Sequence, residues 1–126
     1  MKYQIIKLYT EKLSIISFQH LIEDEKVKTM VNFNSSILPS DSEDIYLFRM
    51  DYVLRAVNNP ISLNWIGIAV VKIIDRNDDE SIESLNEKLL FNNNEIKDFI
   101  QESIKNFSYF IGGELPKFNI KENHDN

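Results

Sequence analysis

Hydrophobic and polar positions alternate along most of the first 75 residues, and the pattern then changes to a helical period. Strict alternation over a run of residues is typical of a half-buried β-strand. Alternation and β-prone composition together predict four strands, at residues 3–15, 26–37, 45–57 and 61–74. Apolar residues spaced three and four apart predict one long helix at 95–111, and a short helix can form between residues 75 and 94.

The third and fourth predicted strands differ in how their apolar residues are distributed. The third strand places one continuous set on a single face, namely Tyr46, Phe48, Met50, Tyr52, Leu54 and Ala56. The fourth is apolar on both faces, with Trp65, Ala69, Val71 and Ile73 opposite Ile66, Ile68, Val70 and Ile74. A single helical layer covers one face of a sheet, so this pattern predicts that helices or another subunit cover the second face as well.

The connections carry turn and capping signals. Residues 39–44 form a polar loop, and Asn58-Asn59-Pro60 predicts a tight turn. Asn94 is the expected N-cap of the long helix, and Gly112-Gly113 is expected to end it. The helical stripe consists of Ile96, Phe99, Ile100, Ser103, Ile104, Phe107 and Ile111.

These elements predict an α+β fold, in which a four-stranded antiparallel sheet carries the long C-terminal helix, and the possible short helix, on one face. Residues 1–120 are expected to form one domain and residues 121–126 a flexible tail. The start of the chain lacks the apolar stretch of a signal peptide, and no apolar run is long enough to span a bilayer. A cytoplasmic protein is the resulting expectation.

Charge and composition narrow the range of partners. The 126 residues carry a formal net charge of −6 and contain no cysteine. An acidic chain without a cluster of Lys and Arg is not expected to bind a nucleic-acid backbone. The absence of cysteine excludes disulfides and thiolate metal sites.

No group of residues predicts catalysis. The two histidines, His20 and His124, lie far apart, whereas a zinc site needs ligands that converge. The carboxylates of Asp78, Asp79 and Glu80 belong to a polar loop, where they are expected to be solvated. We therefore expect a protein that is not an enzyme and that uses no cofactor or metal.

Several segments resemble, in the correct order, those of the SecB family of protein-export chaperones. The first strand, YQIIKLYTEKLSI at 3–15, carries the strongest likeness. The segment DIYLFRMDYV at 44–53 resembles the family's third strand, and residues 63–74 occupy the place of its fourth. EIKDFIQESI at 95–104, followed by GELPKFNI at 113–120, resembles the long helix and the segment after it.

The resemblance implies a dimer of dimers that holds unfolded polypeptide in apolar grooves. Carried over to this sequence, the client-binding candidates are Phe18, Leu21, Ile22, Val27, Met30 and Phe33. The candidates for the oligomer interface are Tyr3, Ile5, Lys7 and Tyr9 on the first strand and Ile100, Ile104 and Phe107 on the helix. The alternative for the three helix residues is that they pack on the sheet of their own chain.

Two differences from the family bear on the function. Its export members dock the translocase motor through acidic residues, and the positions that match here are Lys12, Ile16 and Gly67. The chain also ends soon after Ile120, where the family continues into a second helix.

The leading interpretation is an ATP-independent holdase for unfolded or dedicated protein clients. The alternative is an interaction protein or inhibitor with one specific partner, encoded by a phage or mobile element or associated with a toxin–antitoxin pair.

Overall fold

The computed structural model describes residues 2–16, 29–56, 62–76 and 80–111 of the chain. Its centre is a four-stranded antiparallel sheet with the order β1-β4-β3-β2. The strands are β1 (Lys2–Ile16), β2 (Thr29–Pro39), β3 (Ile45–Ala56) and β4 (Ser62–Asp75). The predicted α+β architecture is thereby confirmed, and β1 and β2 are the two edges of the described sheet.

Two helices follow the sheet, α1 (Ile82–Asn92) and α2 (Asn94–Ile111). The Ser81 hydroxyl accepts a hydrogen bond from the Ser84 backbone N–H at 3.2 Å and so caps α1. The side chain that caps α2 belongs to Asn93, whose Oδ1 accepts from the Ile96 N–H at 3.0 Å. The expectation that Asn94 is the cap was therefore wrong by one residue. Asn93 also donates from Nδ2 to the Tyr3 hydroxyl at 3.0 Å, which ties the start of α2 to β1.

The core lies between the helices and one face of the sheet, here called the inner face. It contains the predicted face of β3, from Phe48 to Leu54, together with the corresponding residues of β4. The helices contribute Leu85, Leu89, Ile96, Ile100, Ile104 and Phe107. All of these side chains are buried within the single chain. Burial of this apolar area is the main term that stabilises the fold.

The indole of Trp65 lies at the centre of this core and is fully buried. Its ring centroid is 5.6 Å from that of Phe99 and 5.9 Å from that of Phe107, and both ring pairs are tilted. The indole Nε1–H donates to the Thr10 hydroxyl at 2.9 Å, which connects the core to β1. Gly67 makes room for the ring, because a Cβ at that position would lie 2.4 Å from Cζ2 of Trp65.

Strand β1 is irregular in its pairing with β4. Register shifts occur at Ile6 and at Glu11, in addition to one at the start of the strand. Each extra residue in a β-bulge changes which face the following side chains occupy. As a result Tyr3 and Ile5 pair with inner-face residues of β4, whereas Lys7 and Tyr9 pair with residues on the opposite face.

The second face of the sheet, here called the outer face, has no described helix on it. Ile66 and Ile68 on this face are nevertheless only 8% and 3% exposed in the single chain. Their neighbours in the register are the long side chains of Tyr9, Lys12 and Arg49, whose apolar parts can cover them. The expectation that helices or another subunit cover this face stays a prediction, and Ile74 on the same face is 60% exposed.

Four expectations concern residues outside the described ranges: the turn at 58–60, the helix end at Gly112, the extended segment after it and the tail at 121–126. The polar loop predicted at 39–44 does lie between β2 and β3. The Ser40 hydroxyl donates to the Ile45 carbonyl there at 2.6 Å.

Candidate functional site

The strand pairing arranges the outer face in six rows that run across the sheet. Adjacent strands lie about 4.8 Å apart, and successive rows on one face are about 6.8 Å apart. The rows can be listed from one end of the sheet to the other as Ile16-Ser62-Arg55-Met30, Ser14-Asn64-Val53-Asn32, Lys12-Ile66-Asp51-Asn34, Tyr9-Ile68-Arg49-Ser36, Lys7-Val70-Leu47-Leu38 and Gln4-Lys72-Ile45.

This arrangement concentrates positive charge on one side of an acidic protein. The outer-face rows contain five cationic side chains, Lys7, Lys12, Arg49, Arg55 and Lys72, and one carboxylate, Asp51. The sequence did not reveal this cluster, because the five residues come from three strands. The available signal was the spacing of Arg49, Asp51 and Arg55, which lie at alternate or next-alternate positions and so share a face of β3.

Asp51 lies between the cations and is only partly neutralised. Its Oδ2 is 3.8 Å from Nη2 of Arg49, which is the distance of a loose ion pair. Its Oδ1 is buried without a hydrogen-bond partner in the described part of the chain. The carboxylate borders a shallow cavity of about 290 Å³, lined by Met30, Asn32, Asn34, Asp51, Val53 and Arg55.

The two edges of the sheet differ in how well they are protected from pairing with another strand. Natural edge strands avoid such pairing through charged side chains and bulges. Strand β1 has both, with Lys2, Lys7, Glu11 and Lys12 in its sequence and irregular pairing. Strand β2 carries no charged side chain, and its pairing with β3 continues without a shift from Thr29 to Pro39. The edge at β2 is therefore the one suited to accept an added strand.

A groove follows the β2 edge where helix α1 approaches it. It encloses about 390 Å³ and is lined by Ser35, Ser36 and Ile37 of β2 and by Ile82, Glu83, Asn86 and Glu87 of α1. Two apolar side chains, Ile37 and Ile82, and the two carboxylates of α1 therefore border the same groove. Oδ1 of Asn86 has no hydrogen-bond donor among the described residues. The groove can offer apolar contact and negative charge to an extended polypeptide.

Most of the predicted client-binding residues are not described, namely Phe18, Leu21, Ile22 and Val27. The structure separates the other two. Met30 lies on the outer face and is 64% exposed, whereas Phe33 lies on the inner face and packs partly against the core. Their role in client binding stays a prediction, but the two side chains do not share one surface.

The predicted interface residues are also divided by the structure. Ile100, Ile104 and Phe107 are buried against the sheet of their own chain, which was the alternative considered for them. Tyr3 and Ile5 pack at the margin of the core. Lys7 and Tyr9 lie on the outer face, where the Lys7 ammonium is 5.2 Å from the centre of the Tyr9 ring.

The three positions that match the family's motor-docking residues do not form one surface either. Lys12 and Ile16 belong to the outer face, whereas Gly67 pairs with Thr10 and Met50 toward the inner face beneath Trp65. No acidic docking site results from these positions, and the outer face around Lys12 has the opposite charge.

Few groups in the described residues have properties that would support chemistry. Burial raises the pKa of the Tyr52 phenol, which belongs to the core. Across the described ranges, no three His, Cys, Asp or Glu side chains are grouped so that they could hold a metal ion. Neither described helix is both long and apolar enough to cross a bilayer.

Comparison with known proteins gives a match to solved structures but not to sequences. No protein-family profile and no curated protein matches this chain. The SecB-like chaperone Rv1957 of Mycobacterium tuberculosis, solved with a ChAD peptide from the Rv1956 HigA1 antitoxin, matches with a TM-score of 0.64. Its identity is 11%, over 95% of this chain and 88% of that one. A protein of unknown function from Streptococcus agalactiae matches with a TM-score of 0.41 and 7% identity, over 94% of this chain and 98% of that one.

The likeness to Rv1957 extends over nearly the whole of both chains and includes the four-stranded antiparallel sheet and its helices. At 11% identity, this likeness concerns the fold. The chain has a SecB-like fold.

Proposed function

We propose that this protein is a SecB-like, ATP-independent chaperone that holds an extended segment of an unfolded or dedicated client protein along strand β2. The observation that carries the proposal is the uncharged, regularly paired β2 edge beside the α1 groove. The client would be a protein in the cytoplasm, and no cofactor, metal or catalytic step takes part.

Addition of a strand at β2 would satisfy the main-chain groups of the client whatever its sequence. Affinity then comes from backbone hydrogen bonds, and preference comes from the side chains that enter the groove. Ile37 and Ile82 would contact apolar side chains of the client. Glu83 and Glu87 would favour a basic residue next to them, because opposite charges attract. Apolar segments with nearby basic residues are therefore the expected clients.

The test uses aggregation of the insulin B chain after reduction by dithiothreitol. This reductant suits the protein because the chain contains no cysteine. We expect a stoichiometric amount of the protein to delay the rise in light scattering. Asn86→Trp fills the groove and should abolish most of the delay, whereas Asn106→Trp places the same side chain on an exposed position of α2 and should preserve it. Wild-type protein that leaves the aggregation unchanged would refute the holdase.

Assembly into a homo-oligomer is part of the proposal. Strand β1 contributes three exposed large apolar side chains, Ile6, Leu13 and Ile16, at 53%, 39% and 52% exposure. Contact between the β1 strands of two copies would bury them, and a dimer of dimers is the arrangement that the SecB-like fold suggests. Light scattering coupled to size exclusion should give the mass of a dimer or tetramer, and Leu13→Glu should lower it. A wild-type mass of about 14.8 kDa would contradict the assembly.

A second function is favoured by one comparison. Rv1957 was solved with a peptide from an antitoxin, so a similar fold can bind a segment of a dedicated partner. The alternative for this chain is an interaction protein or inhibitor with one specific partner, encoded by a phage or mobile element or linked to a toxin–antitoxin pair. Binding to reduced, carboxymethylated α-lactalbumin separates the two functions. A holdase should bind this unrelated unfolded chain and delay insulin aggregation, whereas a dedicated binder should do neither.

A further inference from the structure

We propose that the outer face of the sheet is a second binding surface, separate from the β2 groove, and that it binds an acidic polypeptide. The observation is the segregation of charge: the described strands place five cations and one carboxylate on this face, while the whole chain carries −6. The partner is defined by its chemistry, as a segment or surface rich in Asp and Glu with apolar side chains between them.

The cations are spaced regularly along the sheet. Lys12, Arg49, Lys7 and Lys72 belong to four successive rows, so each row contains one cation, and the row of Lys12 also contains Asp51. Rows are about 6.8 Å apart, which is also the distance between alternate side chains of an extended segment. These cations alternate between β1, β3 and β4, within about 10 Å of one another across the sheet, so the carboxylates of a partner that lies over the four rows can each approach a cation.

Apolar side chains lie within the same surface. Leu38 is 41% exposed at the β2 edge of its row, and Val70 and Leu47 beside it are half-buried. Ile66 and Ile68 are already covered and provide a rigid centre. A partner that carries both carboxylates and apolar groups gains from both parts of this surface.

A nucleic acid fits the outer face less well than an acidic polypeptide. Asp51 lies among the cations and would repel a phosphate backbone. The net charge of −6 adds repulsion against a partner of high charge density. A polypeptide can avoid this repulsion by placing neutral residues opposite Asp51.

The experiment measures fluorescence anisotropy of a labelled 14-residue peptide, in which Glu alternates with Ser and Leu, upon titration with the purified protein. Lys7→Glu/Lys12→Glu should weaken binding at least tenfold, because two attractive charges become repulsive. The control Lys97→Glu/Lys105→Glu makes the same change in net charge on α2 and should alter the affinity less than twofold. Since β1 is also a candidate assembly edge, Arg55→Glu/Lys72→Glu repeats the test on β3 and β4.

Each outcome of this experiment either supports or overturns the proposal. Loss of binding in both outer-face variants, together with retention in the α2 control, supports the proposal. No binding of the acidic peptide by the wild type would overturn it. Equal weakening by all three variants would also overturn it, because the effect would then follow net charge alone. Tighter binding of a 14-nucleotide single-stranded DNA than of the peptide would assign the surface to a nucleic acid instead.

Discussion

Substitution of Gly67 by alanine tests the packing around the only tryptophan of the chain. A Cβ at this position would lie 2.4 Å and 2.6 Å from Cζ2 and Cη2 of Trp65 and 3.1 Å from Cε1 of Phe99. Ordinary contacts begin at 3.4 Å, so the indole must retreat by about 1 Å. The ring is fully buried and has Phe99 and Phe107 as neighbours, so its retreat must disturb the packing of these rings.

The cost can be estimated from the contacts that would change. Overpacking a core costs about 1–3 kcal/mol, and loss of the hydrogen bond from Trp65 Nε1 to the Thr10 hydroxyl adds about 1 kcal/mol. The lower entropy of an alanine-containing unfolded chain returns about 0.4–1 kcal/mol. We therefore expect Gly67→Ala to lower the free energy of unfolding by about 2–3 kcal/mol. A chain of this length is typically stable by roughly 6–19 kcal/mol, so the variant should still fold.

Urea denaturation followed by Trp65 fluorescence and by far-ultraviolet circular dichroism measures this change. The control is a double-mutant cycle with Trp65→Phe, whose smaller ring removes the two clashing atoms. In that background, measured by circular dichroism, Gly67→Ala should cost less than about 1 kcal/mol, which corresponds to a coupling energy of at least about 1 kcal/mol. Equal costs in the two backgrounds, or a loss below about 0.5 kcal/mol in the wild type, would refute the explanation of this glycine.

Two further predictions concern the helix cap and the buried phenol. Asn93→Ala should lower the free energy of unfolding by about 1–2 kcal/mol, because it removes the cap of α2 and the hydrogen bond to Tyr3. In the same urea experiment, the control Asn94→Ala should lower it by about 0.5 kcal/mol or less. Equal losses in the two variants would contradict the assignment of the cap. The raised pKa of Tyr52 means that the unfolded chain releases this proton at a lower pH than the native chain, so stability should be retained below about pH 10 and fall as the pH rises above it. Urea midpoints measured from pH 8 to 11 test this decline, which Tyr52→Phe should flatten. The control Tyr9→Phe, on the outer face, should preserve it. If the urea midpoint of Tyr52→Phe fell with pH as steeply as that of the wild type, the effect of burial would be contradicted.

The strands could be predicted from the sequence because their faces differ strongly in polarity. The third strand shows this well: alternate residues from Phe48 to Leu54 are buried, and the predicted bounds of 45–57 end one residue beyond β3. The helical stripe was equally clear, and Ile96, Ile100, Ile104 and Phe107 are all buried. In both cases a local period matches one buried surface, so no knowledge of the partner element is needed.

The faces of β1 could not be predicted because bulges depend on the pairing of two strands. The sequence of 3–15 alternates in a way that places Tyr3, Ile5, Lys7 and Tyr9 on one side, whereas the bulge at Ile6 moves Lys7 and Tyr9 to the other. Similarly, the cap of α2 was predicted at Asn94, which is the last of three adjacent asparagines at 92–94. The choice of Asn93 follows from where α1 ends and the backbone turns, which is a property of both helices together.

The charge of the outer face shows why the composition alone was a poor guide to partners. The net charge of −6 and the lack of a Lys and Arg cluster along the sequence did not indicate a cationic surface, but the register brings Lys12 of β1, Lys72 of β4 and Arg49 of β3 onto one side of the sheet. The groove beside β2 has the opposite character, because Glu83 and Glu87 of α1 border it.

The two proposed surfaces therefore favour ligands of opposite charge, and this makes them separable in one experiment. A client with basic residues would be held at the groove, while an acidic partner would bind the outer face without competing for the same side chains. The insulin assay should be unchanged by Arg55→Glu/Lys72→Glu, which lies away from the β1 edge, and acidic-peptide binding should be unchanged by Asn86→Trp. If each variant impaired both activities equally, the two surfaces would have to be regarded as one, and the separation of charge across the sheet would need another explanation.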